Sequence, residues 1–152
     1  MYIVQCKLGY KILKEGVELP TIKIKCDNCG KDIYFHYGQV INCDMELAWA
    51  GGYLCQFCGE SIEVDGETIP IEYREAILRN EGNWSLSLHI SDNMVMKAIK
   101  IIRKAMELSM EETKYLKSNI PGTILKGTKV EMQRIQLLLH KEEIESEVVK
   151  EK

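Results

Sequence analysis

The first third of the chain carries short β-prone runs of apolar and polar residues, and its last third repeats apolar positions at helical spacing. Tyr2-Ile3-Val4, Tyr10-Lys11-Ile12-Leu13, Thr21-Ile22-Lys23-Ile24 and Ile33-Tyr34-Phe35-His36-Tyr37 are short runs rich in β-branched and aromatic residues, which predict strands. Gly9, Gly16 and Pro20 punctuate them. The character changes after Ile69-Pro70. Glu72 to Arg79 predicts one or two helical turns, and Asn80-Glu81-Gly82-Asn83 a connection. We therefore expect a first domain over 1–65, a linker over 66–83 and a second domain over 84–152.

In the second domain Trp84, Leu86, Leu88 and Ile90 alternate with Ser85, Ser87 and His89, the pattern of a half-buried strand. Ser91-Asp92-Asn93 offers caps for a helix through about Met106. Ser109-Met110-Glu111-Glu112 and Thr128-Lys129-Val130-Glu131 read as capping boxes, in which the serine or threonine and the glutamate satisfy each other's backbone donors. The second box opens a helix through about Glu143. Pro121-Gly122 stops the helix before it, and Ile144, Ser146 and Val148 alternate as a closing strand. The expected fold class is α+β: a small β-rich domain, then a β-α-α-β-α-β domain of three helices on one antiparallel sheet.

Composition narrows the function classes. The 152 residues are 45% hydrophobic and 28% charged, ordinary for a globular chain. Residues 1–65 hold six lysines against nine acidic residues, and residues 66–152 balance fourteen against fourteen. Neither half has the basic footprint of a protein that tracks a phosphate backbone. The N-terminus has no basic segment followed by an apolar one, so no signal peptide is expected, and no apolar run is long enough to span a bilayer. The expected location is the cytoplasm, where thiols stay reduced.

In that setting the cysteine spacing points to a metal. Cys26-Asp27-Asn28-Cys29-Gly30 and Cys55-Gln56-Phe57-Cys58-Gly59 are two Cys-x-x-Cys-Gly knuckles. Each supplies two soft donors from one turn, and the glycine permits the tight backbone. Cys26, Cys29, Cys55 and Cys58 are the expected ligands of one structural metal ion, zinc before iron. Rubredoxin-like iron knuckles usually hold proline, and Asp27-Asn28 and Gln56-Phe57 have none. Two disulfides would need an oxidising compartment, and a redox Cys-x-x-Cys normally comes singly. Cys6 and Cys43 are left over as expected buried free thiols, and His36 lies between the knuckles without being needed. A closed site of four cysteines has no open position for water or substrate, so it stabilises rather than catalyses. Over roughly residues 21–65 the pattern resembles the zinc-ribbon family.

Ala98 to Ala105 and Leu108 to Leu116, with Pro121, Gly127 and the Ile144–Val148 segment after them, resemble a second family. It is the C-terminal domain of the bacterial ribosomal stalk protein, the L-seven/L-twelve family. The resemblance covers residues 97–148 and implies a domain that recruits translational GTPases to the ribosome. The family's factor-binding positions fall on Met96, Ile99, Lys100, Arg103 and Lys114. At 100° per residue, Ala98, Ile101, Ile102 and Ala105 share a core-facing stripe. Met96, Ile99, Lys100 and Arg103 are expected on the opposite, exposed face, pairing apolar residues with cations for an acidic partner. The chain lacks the stalk protein's dimerising helices, and Lys104, Met106, Glu107 and Glu143 replace its small residues.

No P-loop, nucleophile elbow or metal-hydrolase motif is present. The expectation is a non-enzymatic zinc-binding adaptor whose partner is a protein: a translational GTPase, the ribosome or another host machine. No membrane or small-molecule partner is expected. Two alternatives stand beside it. One is a nucleic-acid-binding regulator with Lys23, Lys25 and Lys31 on phosphates. The other is a protease adaptor of the same C-terminal fold, for which Ser91-Asp92-Asn93 is only half a match.

Overall fold

The computed structural model describes the backbone of Ile3–Cys6 and Gly9–Ile12 and all residues from 19 to 152. The chain divides into two compact units, Met1–Asn80 and Glu81–Lys152. The fold is mixed α and β, and the paired strands of the described residues are antiparallel.

In the first unit, β1 (Ile3–Cys6) pairs with β2 (Gly9–Ile12) as a two-stranded ribbon. Tyr2 and Leu13 of the expected runs lie outside the described residues. A four-stranded sheet follows, in the order β3 (Thr21–Lys25), β4 (Asp32–Ile41), β5 (Leu47–Leu54), β6 (Ser61–Gly66). The alternation in β4 sets its faces. Ile33, Phe35 and Tyr37 are buried, while Asp32, Tyr34 and His36 are exposed. Gly51 and Gly52 let β5 lie close to its neighbours. A Cβ on Gly51 would stand 2.7 Å from the Phe35 ring, and one on Gly52 2.5 Å from the Ile62 carbonyl oxygen.

Within the expected linker 66–83, the helical turns expected over Glu72–Arg79 are present as a longer helix. α1 (Ile71–Glu81) buries Ala76 and Ile77 in the same core as Ile33, Phe35, Tyr37 and Tyr53. Its Tyr73 ring stacks on Tyr37 at 4.7 Å and meets Trp49 edge-on at 5.4 Å. A sheet with an apolar face must bury it against another element, and α1 serves that purpose here.

The second unit runs β7 (Trp84–Leu88), α2 (Asp92–Met106), α3 (Met110–Ser118), β8 (Gly122–Gly127), α4 (Lys129–His140) and β9 (Glu147–Lys150). Its sheet has the order β8-β7-β9. Both capping boxes form: Ser109 and Thr128 accept from the N–H groups of Glu112 and Glu131, whose carboxylates accept in return. Ser91 caps α2 by position; its hydroxyl donates to Asn93 Oδ1 and accepts no helix N–H. α4 ends at His140 rather than Glu143, and the last strand starts later than expected. Ile144 is buried in the core ahead of β9, not within it. The core joins Leu86 and Leu88 of β7 to Ala98, Ile99 and Ile102 of α2 and to Met132, Ile135 and Leu139 of α4. Buried Arg134 donates from Nη1 to the Ala105 carbonyl at 2.9 Å, placing a cation at the C-terminal end of α2. Among the described residues no helix is long and apolar enough to cross a membrane.

Candidate metal centre

Both knuckles fold the same way. Gly30 N–H donates to the Cys26 carbonyl, and Gly59 N–H to that of Cys55, each at 2.8 Å. Cys26 N–H and Cys55 N–H close the turns on the carbonyls of Lys31 and Glu60 at 2.9 and 2.7 Å. Gly30 and Gly59 take left-handed φ values of 69° and 79°, which glycine adopts without steric cost. One knuckle joins β3 to β4 and the other β5 to β6, so the sheet brings the two turns together at one end.

There the four Sγ atoms lie within 4.8 Å of one another. Cys26 and Cys58 are 3.7 Å apart, and Cys29 and Cys55 3.6 Å. Four sulfurs at about 2.3 Å from one ion in a tetrahedron have edges of about 3.8 Å. A disulfide would bring two of them to about 2.05 Å, and all four are free thiols. The donor set and its spacing therefore fit a structural metal site.

The thiols also differ in acidity. Burial pushes Cys26 up to about 12. The Lys31 backbone N–H acts most strongly on Cys29 and lowers it, but burial with Cys55 and Cys58 leaves it raised. Cys58 faces the backbone N–H of Glu60 and falls to about 7. Four thiolates packed this closely repel one another, and a divalent cation resolves that repulsion.

Glu60 is the residue of this site that spacing does not single out. Its Oε2 accepts from the Asn28 N–H at 3.1 Å, the Cys26 thiol at 3.1 Å and the Tyr53 hydroxyl at 3.3 Å. One carboxylate thus ties the second knuckle to the first. Its only sequence signal is its place directly after Cys58-Gly59. Cys43 differs from expectation: it is exposed and disulfide-bonded rather than a buried free thiol. The side chain of Cys6 lies outside the described residues. Lys23 and Lys25 both pair with Asp32, Lys23 at 2.9 Å, so one carboxylate already answers two of the three lysines considered for phosphate.

The expected docking face on α2 is only partly assembled. Met96 is 62% exposed; Lys100 and Arg103 also lie on α2, and Lys114 lies on α3. Lys100 and Arg103 are exposed, whereas Ile99 is 5% exposed and belongs to the core. Its helical angle explains this. Ile99 lies about 60° from Ile102, which is wholly buried, and an apolar stripe is at least about 100° wide. Ile101, about 100° away on the other flank, is only partly buried. Arg103 Nε points to the Leu108 carbonyl at 3.4 Å, across the α2–α3 turn.

Compared with protein-family models, curated proteins and solved structures, the chain matches none.

Proposed function

We propose that this chain is a non-enzymatic adaptor whose first unit is stapled by one zinc ion and whose second unit docks a protein partner. The carrying observation is the four-thiol cluster with tetrahedral edge lengths. Its ligands come from two turns of one sheet and leave no position for substrate, so the ion serves the fold. Zinc is favoured over iron by knuckles without proline. The free thiols favour a reducing compartment such as the cytoplasm. The Cys43 disulfide runs against that placement, and thiol alkylation of protein from the source cell tests it.

The docking function is supported by Met96, Lys100 and Arg103, which leave an apolar and cationic patch on α2, with Lys114 exposed on α3. The resemblance to the stalk C-terminal domain makes a translational GTPase the first partner to try. Purified protein should carry about one equivalent of zinc by elemental analysis. It should bind a purified translational GTPase, and reversing Lys100 and Arg103 to glutamate should weaken binding about tenfold or more without moving the melt. A metal-free native protein refutes the staple. Binding that survives the charge reversal refutes the α2 face, and no binding by the unaltered chain refutes the translation partner.

A further inference from the structure

Beside the α2–α3 turn, where Leu108 is one of its lining residues, the second unit has a groove of about 580 Å³ between α3 and β8. Its helix wall comes from one side of α3: Glu111 and Tyr115, four residues apart, with Glu112 and Leu116 beside them. Its other wall is Thr123 to Lys126 of β8. Because β7 is central, β8 is an edge strand. In an antiparallel pair, alternate residues of an edge strand turn their N–H and C=O groups away from the sheet. The register between β7 and β8 also shifts at Leu86/Ser87 and passes over Ile124. The groove is therefore walled by backbone groups that the sheet does not use.

The two edges of this sheet are unlike. β9 has four residues and is bounded by Glu147 and Lys150, and charge on a short edge is a common guard against pairing. β8 has six residues and one charge, Lys126, which Glu151 engages at 2.6 Å. On the helix wall Tyr115 is 70% exposed, an aromatic surface left open by its own unit. Glu111 and Glu112 make that wall acidic. The Ser109 hydroxyl and backbone N–H hold Glu112 below its usual range, so its charge persists.

We propose that this groove takes an extended, lysine- or arginine-bearing segment of another protein, which adds to β8 as a further strand. The backbone of β8 supplies the ladder, Leu125 and Tyr115 take apolar side chains, and Glu111 with Glu112 takes the cation. A second copy of this chain fits less well. Its own β8 offers only Lys126, already held by Glu151. The surface and its charge are distinct from the α2 face, so this inference does not rest on the proposed function.

The test titrates the full, isotope-labelled chain with a synthetic peptide of about ten residues alternating lysine and valine. Two control peptides accompany it: one with glutamate for lysine, and one with alternate backbone amides methylated. Binding should shift the amide signals of Thr123–Lys126 and Glu111–Tyr115 and slow hydrogen exchange in β8. The methylated peptide should lose binding, because it cannot complete the ladder. Glu111→Lys should lower affinity for the lysine peptide about tenfold and favour the glutamate peptide. Tyr115→Ala should weaken both and serves if the first variant misfolds. The proposal is overturned by absence of shifts at millimolar peptide, shifts confined to α2, or equal binding of the methylated peptide. It is also overturned if the β8 signals move with protein concentration alone, since a second copy then fills the edge.

Discussion

Single residues show where physical reasoning from spacing is strong. The two knuckles are legible because a metal site needs four soft donors from tight turns, and Cys-x-x-Cys-Gly encodes both requirements locally. Glu60 is not, because its role depends on the sheet bringing residues 26–28 beside it. The acidity of the thiols gives a test. With Cys26 raised to about 12 and Cys29 also raised, the metal-free site holds protons at neutral pH, while Cys58, at about 7, is close to half ionised there. Metal binding must expel those protons, so affinity should fall as pH falls. The fall should steepen below about 7, where Cys58 also becomes protonated. Competition with a coloured chelator across this range, with proton release followed in buffers of different ionisation enthalpy, measures it. An affinity flat with pH would rule out thiolate ligation. On α2 the burial of Ile99 makes a second test. Ile99→Ala should cost roughly 2–5 kcal/mol of unfolding free energy, as Ile102→Ala should, through a core cavity. Arg103→Ala should cost less than about 0.5 kcal/mol. Denaturant melts decide it, and a harmless Ile99→Ala would restore Ile99 to the surface.

Elements are legible where their signals are local. The two capping boxes start α3 and α4 at the expected residues because both halves of the box lie within one turn. The alternation from Trp84 marks β7 for the same reason. Ends are harder to place. α4 stops at His140, and Glu143 takes a φ of 61° in the turn that brings Ile144 back to the core; no helix breaker marks that point in the sequence. α1 is half legible. Its helical run is evident, but its neighbours give it the look of a linker. Only its Ala76 and Ile77 are buried, and their burial depends on a sheet face built by residues much earlier in the chain. Ile77→Ala distinguishes the two descriptions. Ile77 is 4% exposed in the first core, so the substitution should lower the stability of the first unit by roughly 2–5 kcal/mol. Hydrogen exchange of the β3–β6 amides would report it. Exchange there that is indifferent to Ile77→Ala would return residues 66–83 to a linker.

At the scale of the molecule, the two units have separate cores, and among the described residues only the first holds a candidate metal site. The first has a four-stranded sheet packed on an eleven-residue helix, and four cysteines at the end of that sheet. Buried Cys26 and Cys55 belong to its core alongside Phe35 and Tyr53, so the site and the core are one structure. The second unit has a core of its own drawn from α2, α3 and α4 and holds no part of the four-cysteine cluster. Removing the ion should therefore act on one unit alone. A strong chelator should collapse protection of the β3–β6 amides and expose the Phe35–Tyr37–Tyr73 stack, while leaving the exchange rates of β7, α2 and α4 unchanged. Calorimetry should show the first transition falling with chelator and returning with added zinc, because an ion that binds only the folded unit stabilises it by mass action. Cys29→Ser should lower that transition even with zinc in excess, since a hydroxyl is a poor replacement for thiolate. If chelation melts both units together, their folding is coupled. If it melts neither, the four sulfurs hold no ion that matters to the fold, and the staple is refuted however well the distances fit.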